Sequence, residues 1–242
     1  MNYGKFYGIG VGPGDPELIT VKGMNILARC KKVFVPKSRA KRESVARKIA
    51  AAYIREDAEI REVLFPMVED KEILRRYWED SAAEILDVLS TGEDACFLTL
   101  GDTLLYSTYI YLFRALKDIA PDLKIVTVPG ITAFSAAAAL TNFRIGESRN
   151  PVTIIPTSDN LEQLDQSLNG KGTIVLMKVG KRLPDILPML EKKNLLKSSV
   201  FVARAGLEGE KIITDLTTIQ NVDEKTGYLS IILVDTERSH ET

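Results

Sequence analysis

Histidine is almost absent from this chain. Among 242 residues there is one, His240, third from the C-terminal end. A Ser-His-Asp or Cys-His centre would have to draw on that residue, at a terminus, where chains are seldom ordered. Cysteine is nearly as scarce, with Cys30 and Cys96 far apart in sequence. A zinc site built from His and Cys needs about four ligands, or three and a water, so no metal site is expected. Both cysteines fall in apolar segments and read as free buried thiols in a reducing compartment rather than as a disulfide. No run approaches the ~18 apolar residues of a membrane span; the longest candidate is the Ala-rich stretch 131–140. The N-terminus lacks the charged-then-apolar pattern of a signal peptide, so the expected location is the cytoplasm, without a membrane partner. A charge excess is missing too: Lys+Arg number 32 and Asp+Glu 33, a net charge of -1. Broad nucleic-acid surfaces carry a basic excess, so nucleic acid is not an expected partner.

What is present is ordinary globular material, 45% hydrophobic and 27% charged, which excludes disorder and low-complexity classes. The length suits one large or two modest domains. In the first half, short apolar runs at 6–11, 33–35, 95–100 and 125–128 predict strands. A fifth at 60–65, weakened by Arg61 and Glu62, predicts an exposed edge. Pro36 is expected to end the second. Apolar residues at Leu74, Trp78, Ala82, Ile85 and Leu89 have the three-or-four spacing of one buried helix face, and Ile110, Phe113 and Leu116 repeat it over 107–116. Strands alternating with helices predict a parallel sheet covered on both faces. The second half predicts strands at 152–156, 173–179, 200–204 and 228–234, an antiparallel strand at 211–217, and helices at 161–168 and 182–193. Pro188 should kink the last helix or shift its start. The polar, Gly- and Pro-broken stretch 144–151 places a boundary between domains 1–145 and 146–242.

Three strand ends carry small residues. After the first strand come Gly8, Gly10, Gly12, Pro13, Gly14, Asp15 and Pro16. A dinucleotide fingerprint, G-x-G-x-x-G, fails here, because the third glycine would fall on Asp15 or Pro13. Pro13 and Pro16 remove backbone donors that a pyrophosphate would need, and no Gly-Lys-Ser/Thr closes a P-loop. After the 95–100 strand comes Gly101-Asp102-Thr103-Leu104-Leu105-Tyr106-Ser107, and after 125–128 comes Pro129-Gly130-Ile131-Thr132-Ala133. Ligands of open α/β sheets bind at carboxyl strand ends, so three such loops predict a ligand site. Asp102 reads equally as a cap for a helix starting near Leu104.

The motifs GxGPGDPELIT, GDxxLYS and PGITAFSAA, in that order and spacing, resemble those of the tetrapyrrole (corrin/porphyrin) methylases over nearly the whole chain. The segments VPKS at 35–38 and LGDTLLYST at 100–108 resemble in particular the precorrin-2 or cobalt-factor II C-20 methyltransferases of cobalamin biosynthesis. The resemblance implies two α/β domains, the first with a parallel and the second with a mixed sheet. It implies S-adenosylmethionine in a cleft between them and a homodimer. By motif, Pro13, Gly101, Asp102, Leu105, Tyr106, Thr108, Thr132 and Ala133 would line the cofactor site. Met177 of VLMK, Ala205 of ARAG and Leu229 of YLSI would join them. Thr103 stands where the family usually has Pro.

The chemistry suits these residues. The donor has no phosphates, and main-chain groups, apolar walls and hydroxyls can hold it. Methyl transfer turns a sulfonium into a neutral thioether, so the leaving group needs no acid, and positioning is the main lever. A proton must leave the acceptor carbon, for which Tyr106 and Asp102 are the candidates. The tetrapyrrole bears many carboxylates, which Lys37, Ser38 and Arg39, followed by Lys41 and Arg42, are placed to grip. Two readings compete: methylation at another macrocycle position, as on uroporphyrinogen III or a later precorrin, and a non-catalytic nucleotide-binding protein. The broken glycine fingerprint and missing P-loop stand against the second.

Overall fold

The computed structural model describes residues 3–37, 43–66, 70–157, 160–219 and 227–237. The chain divides into two compact units, Met1–Thr132 and Ala133–Thr242.

The first unit is built on a five-stranded parallel sheet of β1 (Phe6–Gly10), β2 (Lys32–Lys37), β3 (Glu59–Leu64), β4 (Ala95–Thr99) and β5 (Ile125–Val128), ordered β3-β2-β4-β1-β5. Every residue of β1 and β4 is buried. That burial on both faces explains why they read as continuous apolar runs rather than as alternating ones. β3 lies at the sheet edge, as Arg61 and Glu62 predicted. One face is covered by α3 (Lys71–Ser90) and α4 (Tyr109–Ile119), whose Ile85, Leu89, Leu112 and Leu116 close a core with Phe6, Phe34 and Phe97. Asp70 starts α3 by accepting from the N–H groups of Glu72 (2.9 Å) and Ile73 (3.1 Å). Trp78 of α3 is half-buried and stacks on Tyr111 of α4 at 4.3 Å between ring centres. The other face carries α1 (Val21–Leu27) on β1 and α2 (Val45–Ala50) on β2 and β4.

Two expectations for this unit need correction. β2 does not stop before Pro36 but runs through it to Lys37. The carbonyls of Lys31 and Lys37 accept from Glu59 and Phe65 on the β3 side. Pro36, between them in the alternation, therefore turns its missing donor toward β4, where pairing has already ended at Phe34. The second correction concerns α4, which begins at Tyr109 rather than at 107 or near Leu104. The Ser107 hydroxyl accepts from the Tyr109 N–H (3.1 Å) and bonds the Thr99 hydroxyl (2.8 Å), holding 104–107 as a separate turn.

The second unit holds a mixed sheet of β6 (Val152–Pro156), β7 (Thr173–Met177), β8 (Ser199–Ala203), β9 (Lys211–Ile213) and β10 (Ser230–Asp235), ordered β6-β7-β10-β8-β9. β6 and β7 are parallel; β10 is antiparallel to both neighbours, and β9 to β8. α5 (Ala133–Thr141) packs on β8 and β10 and so belongs to this unit, although it precedes the boundary expected at 144–151. α6 (Leu161–Ser167) and α7 (Leu183–Lys192) complete the unit around Leu164, Ile174, Leu183, Ile186, Leu190, Phe201 and Ile232. The expected strand 211–217 is cut to three residues, because the Asp215 carboxylate accepts from the Thr217 N–H (2.9 Å) and opens a 3₁₀ turn. Pro188 lies inside α7. It sits on the exposed side one turn after exposed Pro184, so the carbonyl left without its i+4 donor faces water. Among the described residues no helix is long and apolar enough to cross a membrane, and no cluster of His, Cys, Asp and Glu could hold a metal ion.

Candidate functional site

The loops after β1, β4 and β5 are joined to one another by main-chain contacts. Gly12 and Gly101 exchange both backbone hydrogen bonds, Gly101 N–H to the Gly12 carbonyl at 2.8 Å and Gly12 N–H to the Gly101 carbonyl at 3.2 Å. Both take left-handed φ, +79° and +70°, which glycine adopts without strain. Asp102 ties in the third loop. Its Oδ1 accepts from the Leu104 N–H (2.8 Å) and its Oδ2 from the Gly130 N–H (3.1 Å). The capping role anticipated for Asp102 is thus made to a turn, and a bridge of 28 residues in sequence is added. Thr103 is buried and its hydroxyl donates to the Val128 carbonyl (3.4 Å), a second tie to β5 that a proline there could not make.

These loops approach so closely that only glycine fits. A Cβ on Gly10 would lie 2.6 Å from the Gly130 nitrogen and 2.7 Å from the Gly101 oxygen. One on Gly8 would lie 2.1 Å from the ring of Tyr109, a fully buried residue whose hydroxyl bonds that of Thr127 at 2.8 Å. Burial raises the Tyr109 pKa above 10.0. Around Gly101, by contrast, no atom lies within 4 Å of a built Cβ. The loops therefore form a rigid main-chain rim beside open space.

Pro13, Gly101 and Asp102 are brought together on this rim, with Pro13 and Gly101 buried. Leu105, Tyr106 and Thr108 follow on the turn into α4. Tyr106 is exposed and holds a left-handed φ of +51°, an uncommon state for a bulky residue. Thr132, two residues beyond Gly130, is half-buried, and half-buried Ala133 opens α5. Lys37 lies at the same carboxyl end of the sheet, at the end of β2, where its ammonium pairs with Glu62 of β3. Ser38, Arg39, Lys41, Arg42 and His240 lie outside the described residues. Cys30 and Cys96 are free and buried. They sit toward the opposite end of the strands, and the hydrogen bond that Cys96 donates to Cys30, together with burial, pushes the Cys96 thiol well up.

In the second unit Met177, Ala205 and Leu229 gather at one end of the sheet. Met177 ends β7, Ala205 follows β8, and Leu229 precedes β10, with Met177 opposite Ile231 and Ala203 opposite Ser230. The neighbouring backbone is tied across: Arg204 N–H donates to the Leu229 carbonyl and Gly180 N–H to the Gly227 carbonyl, each at 2.9 Å. Three non-glycine residues there hold left-handed φ, Lys178 (+58°), Arg204 (+55°) and Leu229 (+53°). Such strain collects at ligand-binding segments. The motif reading missed Gly130 as the Asp102 partner, along with Lys178 and Arg204. A non-glycine left-handed residue leaves little mark in a single sequence.

Chemically, the rim of the first unit offers carbonyls, N–H groups and hydroxyls, with the Asp102 carboxylate occupied by backbone donors. It suits a ligand of modest charge held by main-chain groups rather than a phosphate.

Residues 5–220 match the family described as tetrapyrrole (corrin/porphyrin) methylases. The chain is 35% identical over 230 residues to the "Probable cobalt-precorrin-2 C(20)-methyltransferase" of Methanocaldococcus jannaschii, covering 95% of each. It is 33% identical to the cobalt-precorrin-2 C(20)-methyltransferase of Salmonella typhimurium, covering 96% of each. In fold it is similar to the cobalt precorrin-4 methyltransferase of cobalamin biosynthesis (TM-score 0.72, 24% identity, 96% of this chain and 94% of that one). It is similar too to the uroporphyrin-III C-methyl transferase of Thermus thermophilus complexed with S-adenosyl homocysteine (TM-score 0.62, 19% identity, 97% and 99%).

Proposed function

The chain belongs to the tetrapyrrole (corrin/porphyrin) methylases, and from that premise we propose that it is an S-adenosylmethionine-dependent methyltransferase acting at C-20 of precorrin-2 or cobalt-factor II in cobalamin biosynthesis. The relatives named for that reaction support the substrate, and the rim of Gly12, Gly101, Asp102 and Gly130 supports the cofactor. The observation that carries the reading is the double use of Asp102, which fixes two strand-end loops beside the open space at Gly101.

The donor set fits the cofactor. S-adenosylmethionine supplies an activated methyl group on a sulfonium and carries no phosphate, matching a rim of main-chain groups from which Pro13 and Pro16 withdraw donors. In this reading Pro13, Gly101, Asp102, Leu105, Tyr106, Thr108, Thr132, Ala133, Met177, Ala205 and Leu229 are the residues that hold it. The protein's work is alignment of two bound molecules, with reacting atoms roughly 3–3.5 Å apart. That task explains how one histidine suffices. Asp102 keeps the loops in place, since both its oxygens already accept from backbone. Tyr106, exposed on the same turn, is the group assigned to the proton that leaves the acceptor carbon. Lys37, with Ser38 and Arg39, grips the substrate carboxylates. The chain acts in the cytoplasm as a homodimer.

The test is incubation with methyl-labelled S-adenosylmethionine and each macrocycle in turn, followed by mass spectrometry. One labelled methyl on precorrin-2 or cobalt-factor II is expected, located at C-20 by NMR. Transfer to neither, or to another carbon, would overturn the assignment.

A further inference from the structure

The first unit holds a second ligand-sized feature, on the sheet face that carries α1. α1 lies over β1, and the edge strand β5, which pairs with β1 alone, is only half-buried over most of its length. Between them runs a groove of about 890 Å³, within the range of small-molecule sites. Tyr7 and Val126, paired in register across β1 and β5, line it with Ile26 and Leu123.

Its charge is one-sided. Lys5, Lys22, Arg29, Lys117 and Lys124 line it, and among the described residues no carboxylate does, although cations and carboxylates balance over the chain, 32 against 33. Lys5 and Lys124 occupy facing positions one step before the Phe6–Ile125 pair, on strands about 4.8 Å apart, where like charges repel. Among the described residues neither they nor Lys22 make an ion pair. The nearby Asp94 accepts from two groove residues, the Lys5 backbone N–H (2.7 Å) and the Tyr7 hydroxyl (3.2 Å). Arg29 lies over the Tyr7 ring, 5.6 Å from its centre. It lies in the turn just past the end of α1, the helix that carries Lys22. The cations thus frame an apolar strip of exposed Val21 and half-buried Val126.

We propose that this groove is a second seat for an amphiphilic polycarboxylate, a flat apolar body against Val21 and Val126 with carboxylates reaching Lys5, Lys22 and Lys124. A tetrapyrrole polycarboxylate has that form, and this choice of ligand rests on the function proposed above. A second copy of the chain fits poorly, because two-fold pairing would set the cations against themselves.

The test compares the wild-type protein with the triple variant Lys5→Glu, Lys22→Glu, Lys124→Glu, titrated with uroporphyrin III by fluorescence. Calorimetry with S-adenosylhomocysteine and the methyl-transfer rate at saturating substrate serve as controls on fold and on the first site. The wild type should show two classes of porphyrin site. In the variant one should weaken by about tenfold or more, as three exposed contacts turned repulsive would give, with cofactor Kd and kcat unchanged. Unchanged porphyrin binding in the variant, with methyl transfer intact, sinks the groove proposal and leaves the function standing. Charge-dependent porphyrin binding without methyl transfer does the reverse. A poly-glutamate peptide that binds the groove more tightly than uroporphyrin III would overturn the proposal in favour of an acidic protein partner.

Discussion

Gly130→Ala isolates the packing of the three loops. The added Cβ would fall 2.1 Å from the Gly101 carbonyl oxygen, 2.7 Å from the Gly10 carbonyl carbon and 2.8 Å from its oxygen. Ordinary contact begins at 3.4 Å, so one loop must move by 3.4 − 2.1, about 1.3 Å. All three obstacles are backbone and cannot rotate away. Overpacking costs about 1–3 kcal/mol, and rigid obstacles place this substitution near ~3 kcal/mol, a fall in Tm of about 6–12 °C for a chain of this size. A misplacement of ~1 Å at a reacting centre can cost about a hundredfold in rate. Gly101→Ala is the control. Its Cβ meets no atom within 4 Å, and only the φ of +70° opposes it, for about 1–2 kcal/mol. That Cβ points into the space assigned to the cofactor. Differential scanning calorimetry and titration with S-adenosylhomocysteine should therefore separate the two: Gly130→Ala loses melting temperature and affinity together, whereas Gly101→Ala loses chiefly affinity. A Gly130→Ala protein with wild-type Tm and wild-type affinity would refute the reasoning.

Asp102→Ala removes the acceptors for two N–H groups. Hydrogen bonds to charged groups are worth about 1.5–3 kcal/mol each, but water reaches the half-buried site, so a net loss of about 2 kcal/mol is expected. S-adenosylhomocysteine should bind about tenfold more weakly, with Asp102→Asn intermediate; a variant that kept full affinity and lost only kcat would mark Asp102 as a catalytic group instead. Tyr109→Phe should cost about 1 kcal/mol through the hydroxyl bond to Thr127. Because burial raises the Tyr109 pKa, its stability contribution is full below pH 10.0 and is lost as pH rises through the folded value. Tyr7, raised by burial and then by Asp94, acts in the same sense. Alkaline denaturation curves should be shallower for Tyr109→Phe than for the wild type, and parallel curves would count against the burial argument.

The parallel sheet was readable because β1 and β4, covered on both faces, must be apolar throughout. α3 was readable because its buried face recurs every three or four residues from Leu74 to Leu89. The rim was readable in part: three small-residue strand ends announce a site, since ligands of such sheets bind there. The bridge from Asp102 to Gly130 was not, because a carboxylate's partner 28 residues away is set by strand order rather than by local pattern. Local rules misjudged Pro36 because a proline ends a strand only where its N–H would have had a partner, and here it faces the side on which β2 is no longer paired with β4. β9 closed early because Asp215 competes for the backbone, a side-chain effect that alternation does not register. The grouping of α5 with β8 and β10 depends on tertiary packing, to which the polar composition of 144–151, broken by Gly146 and Pro151, is blind.

The account stands most directly on where the cofactor lies. A crystal structure of the protein with S-adenosylhomocysteine should show the molecule against the backbone of Gly101 and Asp102, beside Gly12 and Gly130. The same crystals with those loops bare and the molecule bound elsewhere on the chain would contradict it.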